Sequence, residues 1–348
     1  MIDIAKIDKN FAVKTTIDKD DIKFYDVDEA PFKVYGLFRE DGKYRRIPEA
    51  VAKSVSPGVH ELHANTAGGR VRFVTDSNYV AISAIMDGIG KMPYFAYTGS
   101  IGFDLYIGDR YHGTYVPTCD IVDGFESVLE FETNELREIT INFPLYSNVK
   151  KLYVGVQEGS QVKEAKPYKN TKPIVYYGSS ITQGACASRP GRCYQSIISR
   201  EFHYDYWNLG FAGSARAEDN MVEYIKSLDM GIFVLDYDHN APTPEYLKNT
   251  HEKMFKAIRN AHPELPIIIM SRPKSFRTEE MQQRLEIIRT TYENAIANGD
   301  KNVYMLGGDE LAALCKHEGT VDNTHPSDFG FASMAMALAD VLKNIKCI

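Results

Sequence analysis

Residues 173–182 read PIVYYGSSIT, and this stretch decides the fold of the half of the chain that follows it. Ile174 to Tyr177 form a short run with no polar alternation, ending on a glycine. That is the pattern of a strand buried on both faces within a parallel sheet. Four later runs share the texture: DYWNLG at 205–210, GIFVLDY at 231–237, PIIIMS at 266–271 and NVYMLGG at 302–308. Amphipathic segments separate them, and helices are expected over Cys193 to Phe202, Asp219 to Ser227, Glu245 to Ala261 and Glu279 to Asn298. A last helix, from about Ser327 to Ile345, sets Phe331, Met334, Leu338, Val341 and Leu342 at core-facing spacing. Strand–helix alternation of this kind predicts a doubly wound parallel sheet of the flavodoxin-like sort, with ligands at the carboxyl ends of the strands.

Upstream the texture changes. Runs such as GRVRFVTDSNYVAISAIM, FDLYIGDRYHGTYVPT, SVLEFE, REITINFPLY and KLYVGV alternate Tyr, Val, Ile, Phe and Thr with polar residues between turn signals. This is the signature of half-buried antiparallel strands, and a jelly-roll-like β-sandwich is the expectation. The polar stretch from Gln157 to Lys172 reads as a linker, so the chain divides into a sandwich over 1–165 and an α/β domain over 171–348.

With 348 residues, 44% of them hydrophobic, each half has enough apolar material for a core of its own. The formal charge of -7 is spread along the chain, without the basic stripe that nucleic acid requires. No stretch approaches the ~18 apolar residues of a membrane span. The amino terminus as written has no basic and apolar export pattern, which points to the cytoplasm; secretion or the periplasm would follow if a signal had been trimmed. The five cysteines, Cys119, Cys186, Cys193, Cys315 and Cys347, lack zinc-site spacing. Cys186 and Cys193 are close enough to bridge a loop, but free thiols are the simpler reading.

Four segments fall at the expected sheet edge or in the last loop. Gly178-Ser179-Ser180-Ile181-Thr182 puts a serine just past a strand end, where its hydroxyl can attack an acyl carbon. A turn serine alone is weak evidence, because serines bond turn backbone everywhere. Asp322-Asn323-Thr324-His325-Pro326 sets a carboxylate three residues ahead of an imidazole, able to hold Nδ1–H and leave Nε2 as a base. The alternative is a capping aspartate beside an incidental histidine. Asn208-Leu209-Gly210-Phe211-Ala212-Gly213 lets a backbone N–H approach a ligand. Asp236-Tyr237-Asp238-His239-Asn240 offers a side-chain amide, and donors of these two kinds around one point make an oxyanion hole.

Taken together and in this order, the four segments resemble the SGNH (GDSL-like) hydrolase family, whose blocks are a serine, a glycine, an asparagine and a terminal DxxH. The resemblance implies a serine esterase. Ser180 matches the nucleophile, Asp322 and His325 the rest of its triad, and Ser180 N–H, Gly213 and Asn240 the oxyanion hole. Two departures stand out: Ser179 replaces the usual Asp, and Ala241 replaces the Asp that commonly follows the asparagine. Asp238 competes with Asn240 for its place. A lipase-type G-x-S-x-G elbow is not present at Ser180.

In the amino half, Gly102-Phe103-Asp104-Leu105-Tyr106 resembles the GxDLY signature of the sandwich found in one group of these esterases. Ala187-Ser188-Arg189-Pro190-Gly191 is similar to that group too, and Arg189 is a candidate substrate contact at the pocket mouth or a solvated loop arginine. The resemblance implies O-deacetylation of a carbohydrate, on a small-molecule or oligosaccharide ester, without a metal or organic cofactor. Oligomeric state is not legible. A lipase or lysophospholipase, a transacylase to another sugar and a catalytically silent carbohydrate binder remain as alternatives. His60, His63 and His112 lack metal-ligand spacing. His239 and Asp238 are expected on opposite faces rather than as an acid–base pair, and Trp207 is expected in the core of its strand. Core packing is also the simpler role for most aromatic residues of the sandwich, against a sugar-stacking platform.

Overall fold

The computed structural model describes residues 17–170 and 172–345; Cys347 lies outside them. The amino half runs β1 (Ile22–Asp26), β2 (Lys33–Tyr35), β3 (Phe38–Glu40), β4 (Lys43–Arg45), α1 (Glu49–Val55), α2 (Pro57–Leu62), β5 (Arg70–Thr75) and β6 (Tyr79–Gly88). It continues through α3 (Tyr97–Ser100), β7 (Phe103–Ile107), β8 (Arg110–Tyr115), β9 (Gly124–Glu130), β10 (Arg137–Asn142), β11 (Asn148–Gln157) and β12 (Val162–Lys163).

One antiparallel sheet has the order β1-β11-β6-β9, and the facing one β12-β5-β10-β7-β8 with β2 added on β5. Counting the eight main strands in chain order, the sheets run 1-8-3-6 and 2-7-4-5, the interlocked Greek keys of a jelly roll. Period-two burial drives this packing: Val80, Ile82, Ala84 and Met86 of β6 all enter the core between the sheets. On β11 the inward residues are Val149, then Leu152, Val154 and Val156, so the spacing slips by one. A β-bulge between Val149 and Lys151 absorbs the extra residue and keeps the apolar set facing inward.

The carboxyl half contains β13 (Ile174–Gly178), α4 (Ser180–Gln183), α5 (Tyr194–Phe202), β14 (Tyr206–Gly210), α6 (Asp219–Lys226), β15 (Ile232–Asp236) and α7 (Pro244–Ala261). It ends with β16 (Ile267–Met270), α8 (Glu279–Ala297), β17 (Val303–Leu306), α9 (Gly308–Leu311) and α10 (Asp328–Leu342). Its five strands are all parallel in the order β14-β13-β15-β16-β17, the doubly wound arrangement. The expected helices appear within a few residues of their predicted bounds. Side-chain caps explain the sharp starts: Thr243, Thr278 and Ser327 accept from Tyr246, Met281 and Gly330 N–H at the heads of α7, α8 and α10.

The two halves do not behave as beads on a string. Ile47, Ala52 and Val59, around α1 and α2, join the core on one face of the parallel sheet, while Ala67, Leu145 and Tyr146 join the core on the other. The stretch expected to be a linker is largely engaged. β11 runs to Gln157, and Val162–Lys163 pair with Thr75 and Val74 of β5. Tyr168 accepts from Arg70 Nε at 2.9 Å, and Asn170 donates to Asp205 O at 3.0 Å. Arg46, fully buried, donates to Asn208 O and Gly210 O at the end of β14. The cation from one half thus satisfies carbonyls of the other.

Candidate active site

The register of the central strands aligns the catalytic loops. Gly178 of β13 sits beside Gly210 of β14 on one side and Asp236 of β15 on the other. Ser180, Gly213 and Asn240 follow two, three and four residues later, so all three leave the same edge of three adjacent strands. This is the switch point of the sheet, where helices on opposite faces diverge and leave a crevice. A Cβ on Gly178 would lie 2.2 Å from Asp236 O, and one on Gly210 2.2 Å from Gln183 N. Only glycine lets the strand ends and α4 close up this tightly.

Ser180 is the first residue of α4, capped by Ser179, whose Oγ accepts from Ile181 N. Ser179 thereby performs a helix-capping task that an aspartate performs equally well, so the departure from the GDS pattern leaves the turn intact. Ser180 Oγ lies 2.8 Å from His325 Nε2, and His325 Nδ1 lies 2.7 Å from Asp322 Oδ2. Asp322 Oδ1 also accepts from His325 N at 2.7 Å and Thr324 N at 3.0 Å. Burial pushes the Asp322 carboxyl up, but these hydrogen bonds together outweigh it and hold the group below the usual carboxylate range. Such a turn needs one left-handed residue, which Asn323 supplies at φ 68°. A tight Asx-type turn therefore fixes both the imidazole's direction and its tautomer.

Three candidate donors leave the same sheet edge as the serine. As the first helical residue, Ser180 has no carbonyl of its own helix for its N–H. Gly213, at φ 68° with open space where a Cβ would stand, has no hydrogen-bond partner for its N–H among the described residues. Asn240 donates one amide hydrogen to Phe211 O at 2.9 Å, which orients the side chain and leaves the second hydrogen free. Asp238, its competitor, is buried; its Oδ2 lies 3.3 Å from Arg272 Nε, while its Oδ1 has no hydrogen-bond partner among the described residues. The structure thus brings together Ser180, Asp322 and His325, and it leaves Asn240 with one amide hydrogen unused.

Several residues of the site were not legible in the sequence. Asp236 is fully buried beneath α4, where its Oδ2 accepts from Thr182 Oγ1 at 3.0 Å and Tyr194 Oη at 3.4 Å. Burial, then the neighbouring Asp238, pushes its carboxyl well above the ordinary range. Gln183, also buried, donates to Asn65 Oδ1 at 2.9 Å and accepts from Ala212 N at 3.1 Å, linking α4, the Gly213 loop and the amino half. Tyr146 of the amino half donates to Ser180 O at 3.2 Å. The only sequence signal for these was a polar residue inside or beside an apolar run.

Arg189 is engaged within the chain: Asp104 accepts from its Nη1 at 3.0 Å, and the Tyr111 ring centroid lies 3.7 Å from its guanidinium. His239 stands in the turn beyond β15, its Nε2 buried with no partner among the described residues, and burial pulls it down to about 4. Its neutral ring forms no acid–base pair with Asp238. Trp207 is half-buried at the junction of the halves and donates to Arg46 O at 2.8 Å. Cys186 and Cys193 are free and buried, and burial followed by Asp322 pushes Cys186 to about 11. His63 and His112 bond backbone carbonyls of His60 and Glu130, and no cluster of three or more His, Cys, Asp or Glu among the described residues is arranged for a metal. No described helix is long and apolar enough to cross a membrane.

Comparison with known proteins agrees with this fold. Residues 171–343 match the model of the GDSL-like lipase/acylhydrolase family, and residues 22–162 match that of the N-terminus of SGNH-hydrolase-type esterases. A solved structure from Bacteroides ovatus ATCC 8483, described as GDSL-like, is 30% identical over 92% of this chain and 98% of its own, with a TM-score of 0.82. The salicylyl-acyltransferase SsfX3 of a tetracycline biosynthetic pathway shares the fold at 18% identity and a TM-score of 0.76, covering 95% of this chain and all of its own, 100%. A family two carbohydrate esterase from Cellvibrio japonicus does so at 11% identity and a TM-score of 0.62, over 93% of this chain and 97% of its own. No sequence among the curated proteins matches significantly.

Proposed function

This chain belongs to the GDSL-like lipase/acylhydrolase family and is a carboxylic ester hydrolase, and we propose that it removes short acyl groups, acetyl above all, from carbohydrate hydroxyls through a Ser180–His325–Asp322 triad. The observation that carries the triad is the unbroken line of hydrogen bonds, 2.8 Å from Ser180 Oγ to His325 Nε2 and 2.7 Å from His325 Nδ1 to Asp322 Oδ2. His325 takes the proton of Ser180 as Oγ attacks the ester carbonyl. The tetrahedral oxyanion rests on Ser180 N–H, Gly213 N–H and the free hydrogen of Asn240. Collapse forms the acyl-enzyme, and His325 returns the proton to the departing alcohol. Water, deprotonated by the same imidazole, then releases the acid.

Support for a polar alcohol comes from the aromatic loop of the amino half that packs on Tyr146. Phe95 packs on Tyr146, ring centroids 4.5 Å apart, and Tyr146 in turn bonds Ser180 O. On the same loop Met92 and Tyr94 stand exposed, 52% and 63%. An exposed tyrosine on this loop offers a face for a sugar ring. Similarity in fold to a carbohydrate esterase supports the same choice.

The test is hydrolysis of p-nitrophenyl acetate, longer p-nitrophenyl esters and an acetylated xylo-oligosaccharide, with Ser180→Ala beside the native protein. Loss of activity in a folded Ser180→Ala and preference for the sugar ester are expected. Activity surviving in the variant refutes the nucleophile. Preference for long acyl chains moves the protein to the lipases, and acyl transfer to an added alcohol moves it to the transacylases. Binding of the oligosaccharide without turnover would make it a silent binder.

A further inference from the structure

The sandwich and the α/β half meet in a side-chain cluster that the reaction itself does not use. At its centre is Asp104 of β7, fully buried within the Gly102–Tyr106 signature. Its Oδ1 accepts from Asn142 Nδ2 at 2.8 Å, and its Oδ2 from Arg189 Nη1 at 3.0 Å and Gly191 N at 2.8 Å. Arg189 also donates to Tyr106 Oη. A Cβ on Gly191 would stand 2.5 Å from the Tyr106 ring and 2.7 Å from Asp104 Oδ2, so glycine is needed for this contact.

The loop that Asp104 grips, residues 185–192, is fastened to three other parts of the chain. At its start, Ala185 N donates to Ser180 O at 2.9 Å, closing the turn that carries the nucleophile. In its middle, Ser188 donates its N–H at 2.9 Å and its hydroxyl to the Asp328 carboxylate, and Arg192 Nε lies 3.3 Å from the same group. Asp328 is the first residue of α10 and stands three residues after His325. Thr98 of the sandwich donates to Ser188 O as well. One short loop therefore touches the nucleophile's helix, the helix behind the base, and the amino half.

We propose that Asp104 is a positioning residue for catalysis: by holding Arg189 and Gly191 it fixes the loop that, through Ser188 and Asp328, sets the separation of Ser180 and His325. The two reacting side chains are 145 positions apart in sequence, and neither's local turn determines where the other lies. A loop left free would sample positions away from the 2.8 Å contact, and misplacement by about 1 Å costs on the order of 10²-fold in rate. Removing one partner of a buried carboxylate–guanidinium pair leaves the other uncompensated, which makes the grip all-or-none rather than elastic. The accessory domain thus acts on the reaction without touching the substrate at this point. The inference rests on the triad proposed above.

The test compares Asp104→Asn, Ser188→Ala and, as a control, Ile139→Ala in the sandwich core, with native protein. Asparagine keeps the shape of Asp104 but removes the charge that pairs with Arg189 and one of the two acceptor oxygens. Ser188→Ala cuts the far end of the same link and serves if Asp104→Asn does not fold. The measurements are thermal stability, kcat and KM on p-nitrophenyl acetate, and the NMR signal of the His325 Nδ1 proton. A fall in kcat of about 10–10²-fold with KM within twofold, and a broadened or shifted His325 signal, is expected in both link variants. Ile139→Ala loses stability but keeps kcat and the signal. Link variants that match the control in kcat and in the His325 signal overturn the proposal. If native protein hydrolyses no ester, yet the link variants alone perturb His325, the functional reading fails while the positioning role stands.

Discussion

Replacing Asn240 by alanine tests the oxyanion hole, and the structure sets the size of the effect. One amide hydrogen of Asn240 is used at 2.9 Å on Phe211 O, so the second is the only one that can reach the substrate. That donor serves charge present in the transition state and nearly absent in the bound ester, so its loss falls on kcat and leaves KM within about twofold. Loss of one such donor removes about 2.7–4 kcal/mol, or 10²–10³-fold in kcat. The Phe211 bond is lost as well, at about 1 kcal/mol of stability, which for a domain of this size lowers Tm by about 2–4 °C. The assay is initial rates of p-nitrophenyl acetate hydrolysis for Asn240→Ala and Asp238→Asn, with melting curves for both. Asp238→Asn is expected to lose stability through its Arg272 contact while keeping most of its kcat. The reverse pattern, kcat intact in Asn240→Ala and collapsed in Asp238→Asn, would refute the reasoning and give Asp238 the place at the site.

Asp322→Asn should lower kcat about 10⁴-fold, roughly 5.5 kcal/mol, because an amide can hold the wrong imidazole tautomer; near-native kcat would remove Asp322 from the triad. Its folded carboxyl is held low, so the stability it contributes is present above about pH 4 and is lost as pH falls through the lower folded value, and acid unfolding of the variant should lack this component. Asp236 behaves oppositely. Its folded value is raised, so its contribution is complete below about pH 4 and is lost as pH rises toward the raised value. Asp236→Asn, which keeps an acceptor for Thr182 and Tyr194, should therefore gain in Tm over native protein as pH rises above about 4; a difference flat with pH would contradict the buried, unionised carboxyl.

The α/β half was legible because its signals are local. Short unalternated runs such as Ile174–Tyr177, set between amphipathic segments at helical spacing, mark the central strands of a parallel sheet. The sandwich was legible as a class, from its alternation, but its β11 bulge was not, since a slipped register is decided by the partner strand. The helices α1 and α2 and the brief strands before them were missed because they are short and their apolar residues are completed by the other half's core.

At the site the division has the same cause. Sequence alone determined the chemistry on offer: a serine past a strand end, and an aspartate and histidine close enough along the chain to bond each other whatever surrounds them. Tertiary structure decided the rest. Phe211 O orients the Asn240 amide, and Arg272 faces Asp238 Oδ2. Arg189 pairs with Asp104, and Asp236 and Gln183 are buried around α4. Each of those outcomes depends on which distant group fills a hydrogen bond in a space closed to water, and such a partner is named only when the chain has folded.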